Sequence, residues 1–237
     1  MKGIVILILI VVGINYSFGQ DRQEDYFPVP EVMPLLNTPN PPKYVYGIYG
    51  GVAMSNILGT KNDSELRFTN EYYTNYNLGV SVEFIRIKES LSFTVELGLF
   101  YIRKGTLVSD YVTLDQNGQI LADPIDIKNI LNYLQLPINI NYKMFYSQNG
   151  AINLIGGVFV SYLLSNELKY LDFENTFDNE IKNKVDVGLN LGLNYEYRIN
   201  SNGFVGISYD YQYGFISPID NNYNNSSHVI NLFYKFY

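Results

Sequence analysis

His228 is the single histidine of this 237-residue chain, and therefore the first residue to test for acid–base chemistry. Nucleophilic catalysis needs a base and an orienting group within hydrogen-bond reach of the attacking atom. No paired motif accompanies His228. It shares parity with Ile230 and Leu232, which places it on an apolar outward face near a rim. The absence of cysteine excludes thiol catalysis, thiolate metal sites, disulfides and a lipid-modified N-terminal Cys. Gly188 and Gly192 alternate within a strand-like segment, the wrong context for a phosphate cradle. The loop from Asp220 to Asn225 is oxygen-rich but lacks the spaced acids and closing Glu of a calcium loop. Asp172, Glu174, Asp178 and Glu180 read as a solvated charged loop. The chain is expected to be non-enzymatic, with no cofactor and no metal.

The charges that carry information are Glu83, Glu96, Lys143, Glu196, Arg198, Asp210 and Lys235. All fall on the polar parity of strongly alternating segments. In Val185–Tyr197, Val185, Val187, Leu189, Leu191, Leu193, Tyr195 and Tyr197 share one face; Asp186, Gly188, Asn190, Gly192, Asn194 and Glu196 share the other. A strand sends successive side chains to opposite faces, so this period demands β structure. The same pattern predicts strands over Tyr44–Ile57, Thr74–Ile87, Leu91–Leu107, Leu131–Phe145, Ala151–Leu164, Lys184–Ile199, Gly203–Ser217 and Ser227–Tyr237.

Short connections (Lys88-Glu89-Ser90, Ser147-Gln148-Asn149-Gly150, Asn200-Ser201-Asn202) alternate strictly with long polar ones (Leu58–Tyr73, Val108–Ile130, Ser165–Asn183, Pro218–Ser226). All long loops therefore emerge at one end of an up-and-down meander. The expected fold is all-β, an eight-stranded antiparallel transmembrane β-barrel with short periplasmic turns and longer external loops. Val108–Ile130 could hold an extra hairpin, giving ten strands, but reads better as an extension of its neighbours.

Alternation alone leaves two orientations. A soluble ligand-binding barrel would turn its apolar face inward. The polar face here carries Gly188, Gly192, Gly206 and Gly214 among uncharged Asn and Ser, unlike a solvated exterior rich in Lys and Glu. Small residues suit the crowded interior of a narrow barrel, so the apolar face should meet lipid. The inward charges then persist only if paired. Counting from the short turns puts Glu83, Glu96, Lys143, Glu196 and Arg198 at similar depth, in a lumenal salt-bridge layer that closes the barrel. An open diffusion pore is not expected.

Composition agrees. Residues are 47% hydrophobic but only 16% charged, with a net charge of -7, which leaves no basic surface for nucleic acid. Residues 1–20, with Lys2 ahead of an apolar run from Gly3 to Ile14, have the layout of a secretory signal peptide. Residues 21–42 hold Pro28, Pro30, Pro34, Pro39, Pro41 and Pro42, six of the nine prolines, and read as an extended periplasmic tether. Residues 43–237 form the barrel domain.

In the last segment Ile230, Leu232, Tyr234 and Phe236 alternate with Asn231, Phe233, Lys235 and Tyr237. This aromatic strand is similar to the C-terminal assembly signal of outer-membrane barrels, with Tyr237 one residue beyond the pattern. Tyr133-Leu134-Gln135-Leu136-Pro137-Ile138, the run from Gly156 to Leu164, Asp186–Gly192 and Tyr209–Gly214 extend the likeness. Together they resemble the PorT-like outer-membrane β-barrel family of Bacteroidetes, over roughly residues 43–237. The resemblance implies location in the outer membrane of a Gram-negative bacterium, contact with its lipid, and handling by the barrel assembly machinery. Some relatives serve the type IX secretion system. The leading expectation is a structural or interaction role through external loops, with a periplasmic or cell-surface protein as partner. A secretion or transport accessory and a soluble ligand-binding barrel are the alternatives.

Overall fold

The computed structural model describes residues 43–59, 66–84, 93–113, 125–147, 149–170, 176–177, 183–216 and 223–237. The described strands are β1 (Tyr44–Gly59), β2 (Leu66–Phe84), β3 (Phe93–Thr113), β4 (Ile125–Tyr146), β5 (Gly150–Tyr170), β6 (Thr176–Phe177), β7 (Val185–Asn200), β8 (Gly203–Gly214) and β9 (Tyr223–Phe236). Each long strand pairs antiparallel with its chain neighbour, and β1 pairs with β9 from Tyr46↔Phe236 to Gly59↔Tyr223, closing the cylinder. Eight strands form the wall. The two-residue β6 adds only Leu168↔Phe177 and Lys169↔Thr176 to the edge of β5.

Closure works because side-chain parity is maintained around the ring. On β7 the exposed and buried classes alternate without a break from Val185 to Glu196. Leu191 is 60% exposed and Leu232 67%, while Asn190, Asn194, Asn231 and Lys235 are buried. The soluble reading, with its greasy face inward, is thereby inverted. The outer surface is an aliphatic band (Val80, Leu99, Leu136, Ile138, Val158, Leu189, Ile207) between aromatic belts. At the short-turn end the belt pairs Tyr44 with Phe84 at 5.5 Å and Phe93 with Tyr142 at 4.7 Å between ring centroids. Toward the long-loop end Tyr76 stacks on Tyr101 at 6.0 Å.

The strands outrun their expected limits at the long-loop end. β2 starts at Leu66 rather than Thr74, β3 runs to Thr113, β4 begins at Ile125 and β5 reaches Tyr170. Within Val108–Ile130 the described residues 108–113 and 125–130 extend β3 and β4, joined through Val108↔Ile127 and Tyr111↔Ile125. β8 stops at Gly214, short of the expected Ser217. β3 has 21 residues and β8 has 12. At ~3.3 Å per residue the wall is therefore roughly 30 Å longer along β3 than along β8.

The expected signal segment and tether (residues 1–42), the expected turn at Lys88–Ser90, and Asp172, Glu174, Asp178 and Glu180 of the expected acidic loop lie outside the described residues. So do residues 220–222 of the expected Asp220–Asn225 loop, whose Tyr223, Asn224 and Asn225 belong to β9.

Candidate functional site

The lumen is built on size alternation. Gly206 on β8 faces Phe233 on β9, and a methyl group at Gly206 would collide with the Phe233 ring. Gly188 on β7 receives Phe159 of β5 in the same manner. Each inward ring thus lies flat against a wall that has no side chain beneath it. Tyr49 joins the stack, its ring 5.3 Å from both Phe100 and Phe233.

At the short-turn end this layer meets a charge cluster. Lys235 Nζ lies 2.8 Å from Glu83 Oε2, 2.9 Å from Glu196 Oε1 and 3.2 Å from Glu96 Oε2. Its side chain is 2% exposed. Four strands contribute: Glu83 from β2, Glu96 from β3, Glu196 from β7 and Lys235 from β9. Two of the glutamates take further donors. Thr94 Oγ1 donates to Glu83, Tyr49 OH donates to Glu96 Oε1 at 2.9 Å, and Asn141 Nδ2 donates to Glu96 Oε2 at 3.2 Å. Three acceptors around one ammonium match its three N–H donors, and a buried charge survives only with such partners. The positive field of Lys143 also reaches Glu83.

One member of the expected layer lies elsewhere. Arg198 turns to the β7–β8 turn, donating from Nε to Asn200 O at 3.1 Å and from Nη2 to Ser201 O at 3.1 Å. The register shift between Arg198 and Asn200 is the physical reason, because it carries the guanidinium out to the rim. Asp210 sits deeper in the lumen, where Ser208 Oγ donates to its Oδ2 at 3.4 Å.

The long-loop half of the lumen has a different character. Ala53, Ile102, Leu131, Tyr133, Leu163 and Val229 form an apolar cluster inside the cylinder. Lys104, 1% exposed, points into the same region, with Nζ 4.8 Å from the Phe159 ring centroid and 5.8 Å from that of Tyr133. Among the described residues no carboxylate forms a salt bridge with it, though the charge of Asp186 acts on it. Sequence reasoning left Lys104 and Asp186 out of the charged set. The signal was available: Lys104 has the parity of Glu96, and Asp186 that of Glu196.

His228 faces outward, as its parity requires. Its ring lies 5.2 Å from Tyr211, 5.4 Å from Tyr72 and 6.0 Å from Tyr209, and its Nδ1 is 2.8 Å from Tyr209 OH. It belongs to the aromatic belt. On β9, Leu232, Tyr234 and Phe236 point outward with the half-buried Ile230, and Tyr237 OH donates to Ser201 O beside the Arg198 turn. Among the described residues no three His, Cys, Asp or Glu side chains are assembled to hold a metal.

The family model described as Outer membrane protein beta-barrel domain matches residues 18–220. No curated protein matches the chain. Solved structures do. Ail, the attachment invasion locus protein of Yersinia pestis, was solved with the heparin analogue sucrose octasulfate. It is 13% identical at TM-score 0.40, covering 82% of this chain and 99% of its own. Neisserial surface protein A is 10% identical at TM-score 0.44, covering 81% and 96%. The outer membrane protease OmpT of Escherichia coli is 8% identical at TM-score 0.40, covering 82% and 97%.

Proposed function

The chain belongs to the outer membrane protein beta-barrel domain family, and on that premise we propose that it is a non-enzymatic, closed barrel acting through its rims. It resides in the outer membrane, its aliphatic band in lipid and its short turns on the periplasmic side. The observation that carries the reading is the occluded lumen: Lys235 and its three glutamates, with the layer of Tyr49, Phe100 and Phe233, span the bore. A cylinder of eight strands is about filled by its own side chains. Recognition then falls to the external end, where β2–β5 stand above the other strands, since loops on a rigid scaffold commonly carry function. Planar-bilayer recording from the purified protein tests this. Large, stable unit conductance would overturn it, and a silent bilayer containing correctly folded protein is the expected result.

β9 serves in this reading as the strand that the barrel assembly machinery engages, through outward Leu232, Tyr234 and Phe236. The PorT-like affiliation is the narrower form of the proposal. Crosslinking from residues 21–42 to a periplasmic protein would turn it toward a secretion accessory, whereas capture confined to the external loops supports surface recognition.

A further inference from the structure

A cavity of about 30 Å³ lies inside the lumen, and the polar residues around it are not equivalent. Asn190 Oδ1, Asp210 Oδ1 and Asn231 Oδ1 each lie over a glycine of the neighbouring strand (Gly157, Gly192 and Gly51), in the space a β-carbon there would fill. These three are turned to the wall. Asn77 of β2 is different. It is 1% exposed, and neither its Nδ2 nor its Oδ1 meets a hydrogen-bond partner among the described residues. Gln212 of β8, 7% exposed, likewise has an Oε1 that accepts no hydrogen bond from a described residue. Asn77 is where β2 regains register with β3 after the shift that begins at Tyr72, and such bulges re-aim side chains. Ile102 and Val229, also in the lining, have only hydrocarbon to offer it. Burying an amide with both ends unpaired is costly, so this one calls for a partner from outside the chain.

We propose that the cavity is a binding site for one or two internal waters, which accept from Asn77 Nδ2 and donate to Asn77 Oδ1 and Gln212 Oε1, joining β2 to β8 across the bore. Three observations select water. The first is the mixture of donor and acceptor. Asn77 Nδ2 repels a cation and the two amide oxygens repel an anion, whereas a neutral molecule that both gives and takes hydrogen bonds suits all three. The second is size. A water needs about 10–15 Å³ by this measure, so the volume admits one or two and excludes a larger polar molecule. The third is polarity. Cavities that stay dry are apolar throughout, and this one is flanked by a fully unpaired amide. The waters tie strands that share no ladder, because β1 and β9 stand between β2 and β8 in the wall. The inference concerns the folded lumen and stands apart from the role proposed above.

The test is a crystal structure of the whole protein at a resolution that shows ordered water, beside that of N77L. The expected result is one or two density peaks in the cavity, about 2.7–3.2 Å from the Asn77 amide and Gln212 Oε1. They should vanish in N77L, whose side chain fills a similar volume without a polar end. A dry cavity, a peak with contacts of about 2.4 Å (the length of a metal–oxygen bond), or peaks retained in N77L would overturn the proposal. Should N77L fail to fold, wild-type protein in detergent micelles decides the matter by nuclear magnetic resonance. Overhauser cross-peaks from the Asn77 side-chain amide protons to long-lived water support the site, and their absence sinks it.

Discussion

The two halves of the lumen each bury a lysine, and they treat it in opposite ways. Lys235 is surrounded by three carboxylates contributed by strands far apart in the chain. Lys104 lies over the faces of Phe159 and Tyr133 with no carboxylate in salt-bridge contact among the described residues. A buried ion pair gains little over a hydrophobic substitute but is severely destabilised when one partner is removed. A cation over aromatic rings contributes less and leaves less behind when it goes. The periplasmic half is therefore held by an arrangement that fails all at once. The outer half is held mainly by ordinary packing.

The largest expected effect comes from K235M, which strands three buried carboxylates and should destabilise the barrel by about 3–5 kcal/mol. Urea unfolding monitored by the gel shift between folded and heat-denatured protein reads it, and a loss below 1 kcal/mol would erase the contrast between the halves. Next is G206A. The new methyl group meets Phe233, an overpacking worth about 1–3 kcal/mol in the same assay. F233L should restore most of the loss if the ring is what obstructs it.

Coupling sharpens the comparison further. In a double-mutant cycle K235M with E196Q should show an interaction of at least about 1 kcal/mol, and K104M with D186N less than about 0.5 kcal/mol. K104M alone should leave stability within about 1 kcal/mol of wild type, since a well-packed apolar isostere replaces a desolvated charge at little loss. The smallest effect belongs to Y133F. Tyr133 OH is buried and takes no described hydrogen bond, so its removal should shift stability by less than about 0.5 kcal/mol. A larger drop would reveal a polar role for the outer half.

Wherever one face meets hydrocarbon and the other a crowded bore, the sequence displays it. On β7 every residue from Val185 to Glu196 takes the side its parity predicts. Glu83, Glu96 and Glu196 could be placed at one depth by counting from the short turns, because each segment keeps register over that distance, and Lys235 could be given the inward parity. Legibility ends where the physical contrast ends. Beyond the membrane both faces of a strand meet water, so polar residues on β2 at Glu71 and on β5 at Glu167 no longer reveal their pairing. Bulges compound the difficulty. The shifts at Tyr72/Asn77, Val108/Tyr111 and Asn132/Tyr133 each reset the phase, and a two-residue period cannot be followed through them. Arg198 was misjudged for the same reason at the opposite end.

The seam between the first and last strands has a kinetic meaning. Among the wall pairings, β1 with β9 joins the segments most distant along the chain, so its loop-closure entropy is the largest and its formation belongs late in folding. Lys235 rides on that closing strand. Until it docks, the three glutamates line an open, wettable trough; once it docks, they are capped and dried together. Zipping the cylinder shut and discharging its interior are one step, so an incompletely inserted chain carries an anionic gutter that resists burial in lipid.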